Sequence, residues 1–582
     1  MSLILAVNSG MGSSAGVFRD GEPVFCIEEE RLTRVKNWMG VPRAALAYMV
    51  EKGIVDPAAV DAVALCNERF FPVSRESFYR KYDLNFERAR GFGSASRRLA
   101  DRAKLLVGKT PLYAAYAARR KAAAESDVDY LASLGFDPAR CRRLDHHFCH
   151  AAAAYYGLAR DPGREYLVFT LDGGGDGIKS SVWRAKGGRM ERLSADGEFS
   201  IGNMYSSVTC RLGFTPHEHE YKLMGLAPYV GEKHAARYRD YFSQFLELRE
   251  GDTRFANPRP LDYTIFFRHL LFELTRDRFD NIAAGLQTFC EEIVTRWIQG
   301  NMAKYGVSHI LCAGGVFMNV KMNMLLSRLP GMQSMGVFPS CGDETNIFGA
   351  GFFLHNEREG TRLGCLSRFC LGMDPSYDLD EALGRFAGQI AWEKVEDPNA
   401  YIADQLVRDR IVARCTGPME FGARALGNRS ILANPRNLTT VGKINRAIKC
   451  RDFWMPFAPA VLWNRADELL EVPDSLREYG SPYMMFAFAT HPGRRPDLAC
   501  GLHQADFTAR AETVDAERYP DFHAIITRFA HCTGVPGVLN TSFNLHGYPI
   551  VEGSVSAVEV LLGSQIDVLV INDVAIRRKA GS

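Results

Sequence analysis

Short apolar runs separated by glycine turns open the chain. Residues 2–7 form an apolar run typical of a buried strand, and a glycine- and serine-rich turn follows at 9–14. A second apolar stretch then ends at Asp20-Gly21. This pattern predicts a hairpin whose two strands are joined by a glycine turn.

A similar pattern returns later in the chain. Residues 166–171 predict a strand, 172–177 (DGGGDG) a glycine turn and 180–183 a second strand. In this repeat Asn8 of the first copy corresponds to Asp172 of the second. An internal duplication of strand, turn and strand is typical of two-lobed nucleotide-binding folds of the actin and sugar-kinase kind.

The length of the chain and a loss of periodicity predict two domains. A chain of 582 residues is too long for one hydrophobic core, and regular patterning fails near residues 371–380. We therefore predict a first domain over 1–372 and a second α/β domain over 373–582. The first also contains a helical pattern at 282–297 and a strand at 309–313. Strands of the second are predicted at 411–415, 458–462, 483–489 and 568–571.

Composition and charge narrow the class of protein. Hydrophobic residues make up 47%, charged residues 24% and the net charge is +2, which is typical of a soluble globular protein without a nucleic-acid or membrane partner. A basic run at 88–121 predicts a solvated helical face, with an anionic ligand site as the weaker alternative. The fourteen cysteines show no C-x-x-C spacing, which predicts reduced thiols and a cytoplasmic location. The apolar fraction leaves room for a homodimer interface.

The sequence DHHFCHAA at 145–152 concentrates three histidines. His146 and His150 are four residues apart, so on a helix both imidazoles project from one face and can share a metal ion. The alternative is a capped helix start with core histidines. Asp172 and Asp343 are the candidates to complete the site, and such mixed ligands suit iron, manganese or zinc better than calcium.

Glycine turns follow two of the predicted strands, at Gly173, Gly174 and Gly175 and at Gly314 and Gly315. Backbone N–H groups that lack a neighbouring Cβ can approach a phosphate closely. Their repetition beside acidic residues favours a nucleotide site, although each turn alone also fits a plain tight turn.

Cations with few acidic neighbours gather in the second domain. Arg424 lies in EFGARALGNRS (420–430), and Lys449 and Arg451 flank Cys450 in a run that we predict to be a strand. That geometry would place both cations on one face, suited to triphosphate or acyl-phosphate oxygens. Solvated charge is the alternative, but the aromatic residues that follow would make unpaired cations costly.

Arg510 and the sequence NTSFN (540–544) add a further cation and small polar groups, including Ser542 and Asn544. Side chains of this kind can bind a phosphate or a base edge. Taken alone, the stretch fits a polar turn equally well.

At these residues the chain resembles the O-carbamoyltransferases of nodulation-factor and antibiotic-tailoring pathways, nearly from end to end. Such proteins join an actin/sugar-kinase-like domain, similar to the universal tRNA threonylcarbamoyl transferase, to a YrdC-like α/β domain, similar to threonylcarbamoyl-adenylate synthase. The matching stretches are EEER (28–31), 146–152, 171–177, EYKLMGLAPY (220–229), 313–319, 342–343, 420–430, 449–459 and 539–544.

The resemblance implies a two-step reaction. The C-terminal domain would convert carbamoyl phosphate and ATP, with Mg²⁺, to carbamoyl-adenylate, pyrophosphate and phosphate. The N-terminal domain would then pass the carbamoyl group to a small-molecule acceptor, such as a hydroxyl of a natural product. The implied cofactors are ATP and a divalent metal, with Fe²⁺ favoured over Mn²⁺ or Zn²⁺.

The resemblance also assigns roles to individual residues. Lys449 and Arg451 match the family's K-x-R element, and Ser542 and Asn544 match its S-x-N element. Together with Arg424 and Arg510, these residues would hold the phosphates and the acyl group. The implied metal ligands are His146, His150, Asp172 and Asp343. The implied adenylate-binding residues are Gly173, Gly174, Gly175, Gly314, Gly315 and Asn319.

Two positions depart from the family pattern. Met11-Gly12 stand where relatives commonly have His-Asp, so the histidine credited with activating the acceptor is missing. His217 and His219 are candidate replacements. Met455 stands where relatives often have an arginine, which removes one cation. We therefore expect adenylate formation to persist, and transfer to use another base or a more easily deprotonated acceptor.

Three other functions compete with this interpretation. A carbamoyl-adenylate synthase could act on an unusual amine or thiol acceptor, or carry a degenerate transfer domain. A tRNA-modifying enzyme is disfavoured by the near-neutral charge. A non-catalytic nucleotide-binding protein is disfavoured because the motif residues of both domains are present.

Overall fold

The computed structural model describes residues 2–69, 74–90, 126–259, 261–449 and 451–579. Most of the basic run at 88–121, and Cys450, lie outside these residues. Within the described ranges, no helix combines the length and apolar character that crossing a membrane requires.

The strands group into three large sheets and two short two-stranded ones. Their bounds are β1 Leu3–Asn8, β2 Ser14–Arg19, β3 Glu22–Glu28, β4 Ala62–Leu65, β5 Cys141–Arg143, β6 Tyr166–Gly175, β7 Ile178–Lys186, β8 Arg189–Asp196, β9 Glu247–Arg249, β10 Arg254–Ala256, β11 His309–Ala313, β12 Ser334–Val337, β13 Ile390–Lys394, β14 Val412–Cys415, β15 Arg429–Ala433, β16 Ala458–Leu462, β17 Phe488–Ala489, β18 Thr508–Ala509, β19 Glu512–Val514, β20 Gly537–Ser542, β21 Val568–Ile571 and β22 Val574–Arg578.

The helices lie between and around these sheets. Their bounds are α1 Glu29–Thr33, α2 Arg43–Glu51, α3 Arg75–Arg90, α4 Asp127–Ser133, α5 His146–Leu158, α6 Ile201–Arg211, α7 Glu220–Leu226, α8 Glu232–Phe242, α9 Tyr263–Glu273, α10 Phe279–Tyr305, α11 Val320–Leu326, α12 Asn346–Glu359, α13 Leu379–Arg385, α14 Pro398–Val407, α15 Leu438–Ile444, α16 Pro520–Thr533 and α17 Ser554–Leu562.

The first two sheets repeat one strand order. Strand β1 pairs antiparallel with β2 and parallel with β4, giving the order β3-β2-β1-β4-β5, and the second sheet repeats this as β8-β7-β6-β11-β12. Asn8 is the last residue of β1, and Asp172 follows the regular pairing of β6. The predicted duplication and the two-lobed α/β fold are therefore confirmed.

The last helix of each lobe packs on the sheet of the other lobe. Helix α5 follows β5 but lies against β6 and β11, whereas α12 follows β12 but lies against β1 and β2. The two helices also cross so closely that a Cβ on Gly349 would lie 1.8 Å from the carbonyl oxygen of Cys149. The N-terminal ends of both helices are thereby brought to the junction of the two lobes.

The third sheet has eight strands in the order β13-β22-β21-β14-β15-β20-β16-β19 and forms the core of the C-terminal half. Alternate residues of β14 face opposite sides: Val412 packs with the cluster that includes α14 and α16, and Ala413 with the cluster that includes α17. Helices therefore cover both faces, as expected of an α/β domain.

Three of the strands predicted for this half are confirmed as β14, β16 and β21, but the prediction of a strand over 449–451 is wrong. Lys449 ends a π-helix, Asn445–Lys449, and Arg451 follows in a loop. The amide of Arg451 donates to Oδ1 of Asn445 at 2.7 Å, so it is bonded to the first residue of that helix and not to a neighbouring strand.

The prediction of a strand over 483–489 is also largely wrong, because only Phe488 and Ala489 pair, in β17. Met484 has a φ of 58°, and the amide of Ala487 donates to the carbonyl of Val320 at 3.1 Å. The run is apolar because it packs as an irregular segment against α11.

Candidate active site

A histidine cluster lies at the start of α5, where the two lobes meet. The Asp145 side chain caps the helix by accepting from the amide of Phe148 at 2.7 Å, so helical geometry begins at His146. His146 and His150 are 2% and 0% exposed and project from the same face of the helix.

Two carboxylates from the second lobe meet these imidazoles. Nε2 of His146 lies 3.5 Å from Asp172 and 3.4 Å from Asp343, and Nε2 of His150 lies 3.5 Å from Asp343. Asp172 follows the paired part of β6, and Asp343 begins the turn that leads into α12. The structure thus brings together all four residues that the sequence marked as candidate ligands.

Asn67 orients the His146 ring. Its side-chain oxygen lies 3.0 Å from Nδ1 of His146, which in the neutral ring places the proton on Nδ1 and leaves Nε2 available to a metal ion. The amide of Asn67 also approaches Oδ1 of Asn8 at 3.5 Å, and Asn8 in turn donates to the carbonyl of Met11 at 2.8 Å. The Met11 turn is therefore tied to the cluster through two asparagines.

His147 has a different environment. Its Nδ1 lies 2.7 Å from Oγ1 of Thr170 and its Nε2 lies 3.0 Å from the carbonyl of Ile178. Burial, with help from the two neighbouring histidines, lowers the pKa of His147 well below its usual range. Of the three histidines, this one fits the alternative interpretation of a satisfied core histidine.

The charges of the cluster are mutually compensating. Burial acts to lower the pKa of His146, but Asp343 and Asp172 raise it well above its usual range. Burial acts to raise the pKa of Asp172, but His146 and His150 hold it well below its usual range. A cation entering the cluster would therefore meet carboxylates that are already ionised.

The donor set fits a divalent transition metal. The four ligand atoms lie within 4.8 Å of one another, and within the described part of the chain the buried Nε2 of His146 has no hydrogen-bond partner. Two imidazoles with two carboxylates suit iron, manganese or zinc. The cluster is accordingly a candidate metal site.

The two glycine turns converge on Asp172. The amide of Gly315 donates to Oδ1 of Asp172 at 3.2 Å, and a Cβ on Gly314, whose φ is 99°, would lie 2.6 Å from the carbonyl oxygen of Leu171. A Cβ on Gly175 would lie 2.2 Å from the His146 ring. Only glycine allows the backbone to pass this close to the cluster.

Asn319 caps helix α11 and is held by other side chains. Its Oδ1 accepts from the amide of Met322 at 3.1 Å, and its amide pairs with that of Gln287 at 2.9 and 3.1 Å. Gln287 and Asn319 therefore form a fixed polar pair next to the turn that carries Gly314 and Gly315.

A second cluster forms in the C-terminal half around Lys449, which is 4% exposed. Its Nζ donates to Oδ1 of Asn544 at 2.6 Å, to Oγ of Ser542 at 3.1 Å and to both backbone carbonyls. Burial, together with Arg451 and Lys36, holds the pKa of Lys449 well below its usual range. The K-x-R and S-x-N elements are thus joined directly, although not through a shared strand.

Arg451 adjoins this lysine, and Arg424 and Arg510 adjoin Arg451. Arg451 donates to Oγ1 of Thr541 at 3.1 Å, and its guanidinium lies 4.6 Å from the centre of the Phe457 ring. Burial, followed by the charges of Arg424 and Arg451, lowers the pKa of Arg510 well below its usual range. Like charges this close to one another form a site suited to a polyanion.

Tyr221 reaches this cluster from the other half of the molecule. It lies in α7 and is 36% exposed, and its phenol acts to raise the pKa of Arg424, Arg451 and Arg510 against the lowering effect of burial. The next residue, Lys222, accepts a hydrogen bond at its carbonyl from the Trp454 indole at 3.1 Å and pairs with Asp452 at 3.0 Å. The EYKLMGLAPY stretch therefore lines the boundary between the two clusters.

The loop that carries Arg424 is also bonded to the first domain. The Gly422 carbonyl accepts from Arg31 at 2.6 Å, its amide donates to Glu28 at 3.2 Å, and the Ala423 amide donates to Oγ of Ser340 at 3.4 Å. Ser340 belongs to the same turn as Asp343. The loop that carries Arg424 therefore contacts the turn that carries Asp343, and the two clusters are adjacent.

Met455, which replaces the family's arginine, packs at this boundary. Its sulfur would lie 2.8 Å from a Cβ placed on Gly225 of α7. A thioether here makes an apolar contact, so in this chain the predicted cation site contains Lys449 and three arginines without a further contribution from position 455.

Sequence reasoning missed Asn67 and Glu344, among other residues of the site. Asn67 is a single asparagine after β4, with no pattern around it to mark it as a partner of His146. Glu344 follows Asp343, and its carboxylate accepts from Oγ of Ser340 at 2.5 Å. Burial, with Glu28 nearby, raises the pKa of Glu344 to about 8. A carboxyl group with that pKa could have been anticipated only from its tertiary surroundings.

Both halves of the chain match models of one protein family. Residues 11–352 match the carbamoyltransferase N-terminus and residues 403–578 the carbamoyltransferase C-terminus. The nodulation protein NolNO of Sinorhizobium fredii is 31% identical over 99% of this chain and 80% of its own length. An uncharacterized protein of Methanocaldococcus jannaschii is 31% identical over 75% of this chain and 73% of its own. The 3'-hydroxymethylcephem-O-carbamoyltransferase of Streptomyces clavuligerus is 27% identical over 46% of this chain and 49% of its own.

Fold and site together define a two-domain α/β enzyme with a candidate metal cluster and a candidate anion-binding cluster on a common boundary. The family matches extend over both clusters and identify the chemistry of this class as carbamoyl transfer. The chain belongs to the carbamoyltransferase family, and it is an enzyme of carbamoyl transfer.

Proposed function

We propose that this enzyme forms carbamoyl-adenylate from carbamoyl phosphate and ATP at the cluster around Lys449, and transfers the carbamoyl group to a small-molecule acceptor at the histidine cluster. The observation that carries the proposal is the direct bonding of Lys449 to Ser542 and Asn544 beside three arginines. Buried cations without acidic partners are costly, so an anionic ligand would stabilise this cluster.

The first step needs charge stabilisation more than acid–base chemistry. Carbamoyl phosphate and one water give carbamate and phosphate, and a carbamate oxygen then attacks the α-phosphorus of ATP while the bond to pyrophosphate breaks. Arg424, Arg451 and Arg510 would bind the phosphate oxygens, and Lys449 would stabilise the charge that develops at the attacked phosphorus. Mg²⁺ bound to ATP would neutralise the leaving pyrophosphate.

In the second step, the glycine turns and the histidine cluster would receive the adenylate. His146, His150, Asp172 and Asp343 would hold a divalent metal, for which Fe²⁺ is our first choice. When bound, that metal supplies a Lewis acid for the carbonyl and the departing AMP. The backbone at Gly173, Gly174 and Gly175 and at Gly314 and Gly315 would orient the adenylate over the cluster, next to the Asn319 amide pair.

The proton of the acceptor has to be taken by a group other than a histidine at position 11. His219 is poorly suited, because burial lowers its pKa to about 4 and its Nδ1 accepts from the Thr215 amide at 3.1 Å. His217 is better placed. Its ring lies 3.9 Å from a Cβ built on Gly173, and its Nε2 is 2.8 Å from the hydroxyl of Tyr82. We therefore favour His217 as the replacement base, with a hydroxyl of a natural product as the acceptor.

Met11 also supports a second candidate function. If His217 does not act as a base, the enzyme would be a carbamoyl-adenylate synthase that serves an amine or thiol acceptor, or one whose transfer domain has degenerated. Such nucleophiles need less help with deprotonation than an alcohol does.

The adenylate step is tested by incubating the purified enzyme with ATP and carbamoyl phosphate and measuring pyrophosphate. We expect release that requires carbamoyl phosphate and that is lost in Lys449→Ala. The matched control is Lys443→Ala, because Lys443 is an exposed lysine of the preceding helix. No carbamoyl-phosphate-dependent pyrophosphate from the unmodified enzyme would refute the proposal.

A further inference from the structure

A buried ion pair crosses from the first domain to the C-terminal half. Lys321, the second residue of α11, is 8% exposed, and its Nζ donates to the carboxylate of Asp506 and to the hydroxyl of Thr508. Burial lowers the pKa of Lys321, and Asp506 opposes that shift. A lysine this deeply buried is stable only because both partners are in place.

The partners of Lys321 lie in a closed turn that leads to Arg510. The His503 amide donates to the Thr508 carbonyl at 2.9 Å, the Phe507 amide donates back to the His503 carbonyl at 2.8 Å, and the Thr508 amide donates to Asp506 at 3.1 Å. These bonds make residues 503–508 one rigid unit. A displacement of Asp506 would therefore be passed on to Arg510, two residues after the unit.

The same turn has a second anchor in the first domain. Nδ1 of His503 accepts from the Ala505 amide at 3.3 Å, so its Nε2 carries the proton and donates to the Gly225 carbonyl at 2.6 Å. Gly225 lies in α7, the helix that also carries Tyr221 to the arginines. Both anchors thus attach the Arg510 turn to elements that line the boundary between the clusters.

Lys321 also lies two residues after Asn319, next to the Asn319–Gln287 amide pair. Gln287, which pairs with Asn319, donates to Oε1 of Glu291 at 2.6 Å, and Glu291 is close enough to oppose the lowering of the Lys321 pKa. Gln287 thus links Asn319 to Glu291, and Glu291 acts electrostatically on Lys321, the partner of Asp506.

We propose that Lys321 is a positioning residue: by binding Asp506 and Thr508 it fixes the Arg510 turn against the start of α11, and so closes the boundary across which carbamoyl-adenylate passes. This inference depends on the proposed function, since it concerns the intermediate formed there.

The test uses escape of the intermediate and needs no identified acceptor. With ATP and carbamoyl phosphate alone, the unmodified enzyme should release a burst of pyrophosphate close to one per chain and then turn over slowly, because the adenylate is retained. Lys321→Met should raise the steady-state release of AMP and pyrophosphate about ten-fold or more, the factor expected when one charge-assisted hydrogen bond is lost. Damage to the fold would lower this rate instead.

Two further variants complete the design. Asp506→Asn should reproduce the faster release, and it decides the question if Lys321→Met does not fold. Arg164→Met is the matched control, because Arg164 also pairs across the two halves, with Glu478 at 2.6 Å, but at the opposite end of β6 from Asp172. It should leave the slow phase unchanged.

Each outcome has a distinct meaning. Unchanged slow release in both Lys321→Met and Asp506→Asn, or an equal increase in Arg164→Met, would overturn the positioning role alone. If the unmodified enzyme formed no pyrophosphate from ATP and carbamoyl phosphate, the adenylate proposal would be refuted, and this inference would be refuted with it.

Discussion

The Nδ1 atom of His146 lies 3.0 Å from the side-chain oxygen of Asn67. In the neutral ring that binds a metal, this contact places the proton on Nδ1, and Nε2 faces Asp172 and Asp343. Residues that orient a metal-binding histidine in this way tune affinity without touching the ion themselves.

Replacement of Asn67 should therefore weaken metal binding. We expect Asn67→Ala to lower the affinity for Fe²⁺ or Mn²⁺ by about 10- to 100-fold, because the His146 ring loses the partner that fixes its tautomer. Metal titration of the metal-free protein measures this directly. His147→Gln is the control from the same helix and should bind metal normally, since His147 bonds to Thr170 and Ile178. Equal affinities of Asn67→Ala and the unmodified protein would contradict the role given to Asn67.

Three of the four members of the histidine cluster have local sequence signals. His146 and His150 are related by helical spacing, and Asp172 by its place in a repeated strand and turn. Asn67 carries no such signal. It joins the site only because β4 and β5 are adjacent parallel strands, which brings the residues following each of them together.

The two wrong strand predictions have a related cause. The run around Lys449 and the run at 483–489 are apolar or alternating because of what they pack against, and short segments of this kind do not distinguish a strand from an irregular buried loop. The positions of Arg424 and Arg510 could not be predicted either, because both depend on contacts with the first domain.

The missing histidine leads to a prediction about acceptors. Met11→His should raise carbamoylation of a simple alcohol such as glycerol by up to about 10²-fold, while leaving transfer to hydroxylamine, a more reactive amine, nearly unchanged. The adjacent aspartate cannot be restored as easily, because Gly12 has a φ of 60° and a Cβ there would lie 2.9 Å from the Glu344 amide nitrogen. Chromatographic assay of carbamoylated product decides the matter. If Met11→His leaves both acceptors unaffected, the argument from the missing base fails.

Arg510 should be sensitive to a change that keeps its charge. A lysine cannot reproduce the planar pair of donors of a guanidinium, so Arg510→Lys should slow carbamoyl-phosphate-dependent pyrophosphate formation by about 10- to 100-fold. The matched control is Arg518→Lys, because Arg518 pairs with Asp515 at 2.7 Å. Steady-state assays over a range of ATP concentrations separate an effect on KM from one on kcat. Similar losses in the two variants would argue against phosphate binding by Arg510.

The buried acid Glu512 predicts a pH dependence of stability. Glu512 is 0% exposed, and burial raises its pKa well above 4.5, although the Asn540 amide donates to it at 2.7 Å. The folded protein therefore keeps a proton that the unfolded chain releases, and stability falls as pH rises from about 4.5 towards the folded pKa, by about 1.4 kcal/mol for each unit of pKa shift.

Glu512→Gln keeps the shape but cannot ionise, so it should match the unmodified protein at pH 4 and be more stable at pH 8. Urea unfolding midpoints measured across this range test the slope. Glu468→Gln, at an exposed ion pair with Arg465, should change little. A slope that is the same in Glu512→Gln and the unmodified protein would show that Glu512 is ionised in the folded state.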